Sequence, residues 1–391
     1  MLALLCAAAA IAYAQRQVIA VAKESIQADL DLSKTEVGWI MSAFFAGYAI
    51  CQIPVGWAGD TFGAVRVLAA CVAFSALATA LLPVTNTIET MLIVWTICGM
   101  AQAGLFPIAA RLVVATLPAT RRATASGFLG GSMSVGAAVM AAAGGELLGR
   151  NVRWQVVVLA AAAPGLVWAL VFAALYGRHP VTLRSGGGGG AGANGQLGSL
   201  LRKPSLWLIC LQQFLRAAGY VFFVSWFSTY LQETGAISVD EAGWLNGLPL
   251  LAVVVGSPLG GIASDFVLAR TGSRRLGQQL LAIVSLLACA GCVAAALLLA
   301  SPLAATMLIS LGAFAAAMCG SISYAVTMQA GGERVATAFG IMNMCGSFGA
   351  TLFPIVAAEL RTATGDWELV LAVFAGIYLA AAICWMFIDP D

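Results

Sequence analysis

Gly56-Trp57-Ala58-Gly59-Asp60-Thr61-Phe62-Gly63-Ala64-Val65-Arg66 is a short charged turn set between two long apolar runs. Its glycines allow a tight turn, Asp60 can cap or pair near a helix end, and Arg66 can meet it or the end of a neighbouring helix. A looser second copy, Gly260-Gly261-Ile262-Ala263-Ser264-Asp265 followed by Arg270, Arg274 and Arg275, recurs with an offset of 205 residues. The same offset carries Glu36, Gly38, Trp39 and Gly56 onto Glu241, Gly243, Trp244 and Gly261. Further along the offset becomes 213: Ala123-Thr124-Ala125-Ser126-Gly127 matches Ala336-Thr337-Ala338-Phe339-Gly340, and Glu146 and Trp154 match Glu359 and Trp367. The chain repeats itself, with a charged turn at the same place in each half.

Working outward, 61% of the residues are hydrophobic, only 9% are charged, and the mean hydropathy is +0.95. A chain of 391 residues with that composition is a polytopic membrane protein. A spanning helix needs roughly 20 apolar residues. Twelve such segments fall near 1–22, 37–58, 66–83, 88–116, 123–147, 154–176, 204–231, 242–264, 276–299, 303–329, 335–359 and 367–388. The expected fold is an all-α integral membrane protein of two pseudo-symmetric six-helix bundles, residues 1–178 and 203–391. Between them, 179–202 contains Arg184-Ser-Gly-Gly-Gly-Gly-Gly-Ala-Gly-Ala-Asn-Gly, a flexible cytoplasmic linker. Its glycines lack the Lys-Ser/Thr and the strand–helix setting of a phosphate-binding loop, which excludes an obvious ATP-driven pump.

Met1-Leu-Ala-Leu-Leu-Cys6 and Ala12-Tyr13-Ala14 imitate a secretory signal, but no basic region precedes the apolar run, which continues past Arg16. It reads as the first span. The 10 cysteines form no CxxC pair and read as small buried hydrophobes, and the single histidine, His179, lies in a loop. No metal site, cofactor or nucleic-acid partner is expected, and no catalytic acid/base pair or nucleophile–base arrangement points to an enzyme. Charge orients the chain. Arg66, Arg121, Arg122, Arg178, Arg184, Arg202, Lys203, Arg270, Arg274, Arg275 and Arg334 fall on one side, and Lys23, Lys34, Arg150, Arg153 and Arg361 on the other. With Arg16, Arg111 and Arg216 inside segments, these account for all 19 basic residues. The richer side is cytoplasmic and holds both termini. The short tails and the lack of an N-x-S/T sequon fit a bacterial inner-membrane protein.

Arg16 and Arg216 lie in the first span of each half, and neither has an acid within reach along its helix core. An unpaired guanidinium at membrane depth costs about 2.5–3.5 kcal/mol, so it persists where an anionic ligand or cavity water compensates it. Guanidinium forks match carboxylate and phosphate in two-point contacts. Tyr13 lies about a turn from Arg16 and Tyr220 four residues after Arg216, so each shares its arginine's helix face. Gln15, Gln102 and Asn343 are further substrate hydrogen-bonding candidates. Arg111, about two turns before Pro118, is a candidate substrate contact or an inner-end anchor. Glu146 and Glu359 sit near outer helix ends as gate residues or coupling-ion ligands, and Asp60, Gly63, Arg66, Asp265 and Arg275 make up the cytoplasmic gating motif.

The turn motif, the twelve spans and the two halves together resemble the major facilitator superfamily across the whole chain. A narrower resemblance rests on Tyr13-Ala-Gln15-Arg16, on Ile26-Gln-Ala-Asp-Leu-Asp-Leu-Ser33-Lys-Thr-Glu-Val-Gly38-Trp39-Ile-Met-Ser-Ala-Phe44-Phe-Ala-Gly-Tyr48, on Gly104-Leu-Phe106-Pro107 and on Phe214-Leu-Arg216 with Trp226-Phe-Ser-Thr-Tyr230-Leu. These resemble the anion:cation symporter family, which includes sugar-acid carriers and vesicular glutamate and sialic acid transporters. The resemblance implies that Arg16 and Arg216 hold the anionic substrate. Where that family commonly has acids before the first-span arginine and in the fourth span, this chain has Gln15 and Gln102, and Trp95 replaces an upstream fourth-span arginine. Amides do not titrate near neutral pH, which puts family-type proton coupling in doubt.

The expected function is alternating-access transport of a small organic anion, a carboxylate first, bound between Arg16 and Arg216 by a monomer in the lipid bilayer. The alternatives are an inorganic-anion or phosphorylated-metabolite exchanger, and a transport-dead anion sensor.

Overall fold

The computed structural model of the chain describes residues 1–177, 198–235, 239–299 and 301–390. Most of the expected linker over 179–202, with His179, lies outside the described residues, and so do Arg178 and Arg184. The described residues are mostly helical, with no strand among them. Helices α1 (Leu2–Asp29), α2 (Lys34–Phe62), α3 (Ala64–Leu81), α4 (Ile88–Gln102), α5 (Leu105–Thr116), α6 (Arg122–Gly149) and α7 (Trp154–Tyr176) form the first half of the chain order. Helices α8 (Pro204–Ser225), α9 (Phe227–Gly235), α10 (Val239–Thr271), α11 (Leu281–Ala296), α12 (Pro302–Gly331), α13 (Val335–Thr364) and α14 (Trp367–Phe387) form the second.

Among the described residues, eleven apolar helical stretches are long enough to cross a membrane. One of them, Pro302–Thr364, runs for 63 residues, about 95 Å of helix and more than twice a bilayer core. It is two spans, α12 and α13, parted at Gly332, where φ is +54°. The count is therefore twelve, as read from the sequence.

Local chemistry explains the helix ends. Ser33 caps α2: its Oγ accepts from the Glu36 amide at 3.2 Å, and the Glu36 carboxylate accepts from the Ser33 amide at 2.8 Å. Gly63 turns the chain from α2 into α3 at φ +100°, a conformation costly for any residue with a Cβ. Two spans differ from the sequence reading. The fourth breaks at Ala103-Gly104 into α4 and α5, and the seventh breaks at Trp226 into α8 and α9. Hydropathy reports how much apolar chain is present, and a break of one or two residues does not lower it.

The chain divides into two compact units. The first comprises Met1–Thr116, Ser132–Gly190 and Gly331–Gly340; the second comprises Leu117–Gly131, Ala191–Ala330 and Ile341–Asp391. In the first, α2 and α4 pack so closely that a Cβ on Gly99 would strike the Phe44 backbone. In the second, a Cβ on Gly256 would meet the Phe314 carbonyl between α10 and α12 in the same way. Backbone approach at small residues is how helices gain contact in lipid, where apolar burial alone does not favour association.

Candidate functional site

In the first unit, Arg16 projects from α1 into a ring of aromatic side chains. Its guanidinium carbon lies 4.4 Å from the Tyr13 ring centre, 4.6 Å from Tyr48, 4.8 Å from Phe44 and 5.7 Å from Phe45. Phe44 stacks on Tyr48 at 6.1 Å and is backed by Trp95 at 5.1 Å, with both Phe44 and Trp95 fully buried. The Arg16 Nε is buried without a hydrogen-bond partner. Among the described residues no carboxylate pairs with it. Ring faces offer a cation about 0.5–2 kcal/mol each but no acceptor lone pairs, so the guanidinium is held in place with donor capacity unspent.

Behind Arg16, Gln15 faces the other side of α1 and is completely buried. Its Oε1 accepts from Ser75 Oγ at 3.2 Å and from Gln102 Nε2 at 3.3 Å, and its Nε2 reaches the Ala161 carbonyl at 3.5 Å. Gln102, also buried, keeps its Oε1 unpartnered. The two amides singled out in the sequence thus meet one another across 87 residues of chain. Every side chain in this hydrogen-bonded group, including Thr79 with the Ser75 carbonyl at 2.8 Å, is uncharged.

Arg216 is placed differently in the second unit. Its Nε and Nη2 both donate to Gln213 Oε1, at 3.2 and 3.0 Å, and Nη2 also reaches the Tyr324 hydroxyl at 3.4 Å. Gly320 on α12 leaves room for the guanidinium, since a Cβ there would sit 3.1 Å from Nη1. Tyr220 is half-buried one turn on, and Asn343 on α13 accepts through its carbonyl from Ser347 Oγ at 3.1 Å. Gln213, Tyr324, Phe44 and Tyr48 were not assigned roles in the sequence reading. A signal for Tyr324 existed: Ser321, Ser323, Tyr324 and Thr327 cluster within seven residues of a mostly apolar helix.

The gating-motif residues separate. Asp60, with its side chain wholly buried, accepts from Arg111 Nη1 at 2.7 Å, from the amides of Ala336 and Thr337 at 3.2 and 2.8 Å, and from Thr337 Oγ1 at 2.7 Å. Its basic partner is Arg111 rather than Arg66, which is exposed; Arg111 also donates to the Glu333 carbonyl at 2.6 Å. In the second unit Asp265 accepts from the amides of Ala123 and Thr124, at 3.4 and 2.7 Å, while Arg275 is exposed at the start of a π-turn. Each aspartate therefore caps the N-terminus of the helix that begins the other repeat's Ala-Thr-Ala motif, where a carboxylate is favoured by the helix dipole. The closing glycines of that motif are related in the same way. A Cβ on Gly340 would strike the Gln52 carbonyl, and one on Gly127 the Ser257 carbonyl, positions again 205 residues apart.

At the opposite helix ends, Trp154 Nε1 donates to Asp29 at 2.8 Å and Trp367 Nε1 donates to Glu233 at 2.7 Å. The repeat-matched tryptophans make matched bonds. Arg361 adds an ion pair to Glu233 at 2.9 Å, and the Trp367 indole followed by Arg361 holds the Glu233 carboxyl below the usual range. Glu146 is exposed in an ion pair with Arg150 at 2.9 Å, and Glu359 is exposed.

A family model described as Major Facilitator Superfamily matches residues 5–236 and 209–391, the whole length of the chain. The chain is 26% identical over 411 residues to a protein of Cupriavidus necator named as a probable sulfoacetate transporter, covering 100% of this chain and 93% of that one. It is 26% identical over 408 residues to the D-galactonate transporter of Escherichia coli O6:H1, covering 97% and 93%. The crystal structure of the Escherichia coli fucose:proton symporter superposes with a TM-score of 0.81 at 16% identity, covering 99% of this chain and 98% of that one.

Proposed function

The chain belongs to the major facilitator superfamily, a family of transporters and not of enzymes, and from that premise we propose that it carries a small organic anion, a carboxylate first, by alternating access. The observation behind this reading is the state of Arg16. It is fixed by rings, has no carboxylate partner among the described residues, and retains an unpartnered buried Nε beside neutral amides. A charge held so, at about 2.5–3.5 kcal/mol, is a site prepared for an anion brought from outside. Arg216, whose hydrogen bonds among the described residues go to the neutral Gln213 and Tyr324, is the second anion-binding arginine. Relatives named for sulfoacetate, galactonate, galactarate/glucarate and hexuronate support an organic acid as cargo. The bodies that rearrange are the repeats 1–178 and 203–391 of a monomer in the bacterial inner membrane, with both termini cytoplasmic as the charge distribution requires.

The proton is not the coupling ion at the Gln15–Gln102 pair. An amide pair holds the same hydrogens at every physiological pH, so substrate moves down its own gradient, in exchange for another anion, or with a coupling ion other than the proton. Counterflow in proteoliposomes tests both parts. A charge-assisted contact is worth about 1.5–3 kcal/mol, so Arg16→Ala and Arg216→Ala each weaken anion binding by about 10- to 150-fold while the protein stays folded. Unaltered affinity in either well-folded variant refutes the arginine assignment. Uphill uptake driven by a pH step alone refutes the uncoupled reading, and inorganic phosphate displacing organic acids would move the substrate class.

A further inference from the structure

One end of the second unit carries arginines set directly over apolar surface. Helix α10 leaves Leu259, Ile262 and Phe266 exposed at helical spacing, and Arg270, one turn further on that face, is exposed at the helix end. The Arg270 guanidinium carbon lies 5.1 Å from the centre of the Phe266 ring, which is 58% exposed. A cation is attracted to a ring face, and an exposed aromatic ring at the end of a span belongs at the membrane–water boundary. Phe266 therefore fixes this guanidinium at headgroup depth. From Leu259 to Arg270 the helix rises about 16 Å, close to the roughly 15 Å of one hydrocarbon leaflet.

The chain then reverses. Gly272, at φ +66°, closes α10, and its amide donates to the Leu268 carbonyl at 2.9 Å. Ser273 Oγ accepts from the Leu276 amide at 3.3 Å and leads into the π-turn Arg275–Leu280. A Cβ on Gly277 would lie 3.0 Å from the Ser264 carbonyl and 3.1 Å from the Leu268 amide, so the returning helix runs against α10. That contact brings the exposed Arg275 level with Arg270, and the exposed Leu276 and Leu280 follow it toward the membrane core. Arg274, half-buried, donates to the Pro390 carbonyl at 3.4 Å, next to the exposed Asp389. Asp265, one turn before Arg270, is already engaged by the Ala123 and Thr124 amides. A helix C-terminus favours a cation and accounts for Arg270, but Arg274 and Arg275 open a helix, where the dipole opposes them. An anion at that corner would compensate all three.

We propose that this corner binds the headgroup of an anionic phospholipid, with Arg270 and Arg275 holding its phosphate and the exposed apolar residues of the two helices bedding its acyl chains. Guanidinium forks meet phosphate oxygens in two-point contacts, and the first turn of a helix adds backbone amides of the same polarity. A free phosphate would satisfy the arginines and leave the apolar surface unmatched; a phospholipid satisfies both, one leaflet deep. A zwitterionic lipid brings its own cation to the arginines, so a lipid with net negative charge is selected. Each arginine at the headgroups strengthens that attraction about 5-fold.

The test uses the purified full-length protein in detergent, titrated with phosphatidylglycerol or with phosphatidylcholine of the same acyl chains and read by native mass spectrometry. Wild type should hold phosphatidylglycerol more tightly than phosphatidylcholine. The double variant Arg270→Gln/Arg275→Gln should lose about 30-fold in phosphatidylglycerol affinity, with phosphatidylcholine unaffected. Arg270→Gln alone should lose about 5-fold, and it carries the test should the double variant fail to fold. Arg66→Gln/Arg202→Gln removes two other exposed charges and should keep wild-type affinity. Phosphatidylglycerol with a photoreactive acyl chain should label peptides covering 259–266 and 276–280. Equal affinity for the two lipids, an equal loss in the charge-matched control, or labelling confined to other helices would overturn the proposal. So would displacement of phosphatidylglycerol by inorganic phosphate, which would mark a site for a free anion. None of these readouts depends on which anion the protein carries across the membrane.

Discussion

Removal of the Asp60 carboxylate should loosen the segment 331–340 more than any other single side-chain deletion in the cytoplasmic motifs. The carboxylate has no exposed surface and accepts from four donors, one of them the Arg111 guanidinium at 2.7 Å. Breaking a buried ion pair by deleting one partner costs about 3–5 kcal/mol, because the survivor is left uncompensated. Arg111 keeps the Glu333 carbonyl and is 15% exposed in its side chain, so the lower end applies. About 3 kcal/mol corresponds to roughly two orders of magnitude in an opening equilibrium. Hydrogen exchange followed by mass spectrometry on Asp60→Ala should therefore show peptides covering 331–340 exchanging about 100-fold faster than in wild type. Arg111→Gln, which leaves the helix cap intact but removes the charge, should give an intermediate acceleration. Asp265→Ala should have the smaller effect on peptides covering 117–131, because Asp265 accepts from two backbone amides and, among the described residues, from no arginine. Wild-type exchange of 331–340 in a folded Asp60→Ala protein would refute the assignment of Asp60 as the anchor of that segment.

Other outcomes follow from the same geometry. Because folding lowers the Glu233 carboxyl, its contribution is complete above the ordinary glutamate range, about pH 4.3, and is lost as pH falls through the folded value. Thermal unfolding of Glu233→Gln should thus match wild type in strong acid and fall below it as pH rises past that range; parallel profiles would count against the Trp367–Glu233–Arg361 cluster. On α6, Gly136→Ala should lower the unfolding temperature, since a Cβ there would strike the Ala10 backbone and overpacking costs about 1–3 kcal/mol. Gly145→Ala on the same helix meets nothing within 4 Å and should be neutral or stabilising by about 0.5–1 kcal/mol. Equal effects at the two glycines would show that propensity, not close approach, sets the choice. Trp154→Phe should cost only about 1 kcal/mol, because Gln155 still donates to Asp29 at 2.9 Å, and a chemical-unfolding midpoint measures it.

The parts of the molecule legible in the sequence are those set by local pattern. Apolar runs announced twelve spans, and self-similarity marked pairs such as Asp60 and Asp265 that make matched contacts. Arg16 and Arg216 were recognisable because a charge within an apolar segment needs no partner to be seen. Pairings between helices were less accessible. Arg66 is near Asp60 in the chain, yet the aspartate meets Arg111, 51 residues on, because the rotation of α2 against α5 decides which side chains face one another. The Gln15–Gln102 bond depends likewise on three helices converging on Ser75. Helix length was underestimated for a different reason. Lys23–Asp29 continue α1 although they are too polar for a membrane core, since hydropathy measures bilayer thickness and not where backbone hydrogen bonding stops.

The repeat also sorts mechanics from recognition. Features present twice at matched positions are Asp60 and Asp265 on helix N-termini, Gly340 and Gly127 on opposing carbonyls, and Trp154 and Trp367 on carboxylates. All of them fix one backbone segment against another, and none presents a free polar group. The surroundings of the two arginines are not repeated: Arg16 has aromatic faces, while Arg216 has an amide and a phenol. A rearrangement built from two similar bodies needs like hinges and like latches in each, so selection on that motion keeps the copies alike. A small organic acid is itself asymmetric, with its charge at one place and its hydroxyls or carbon chain at another. The residues that read it have no reason to stay alike. If Arg16 and Arg216 hold the anion as proposed, the difference between their surroundings is what a ligand site in a duplicated carrier should display, and the neutral Gln15–Gln102 pair behind Arg16 belongs to that diverged set.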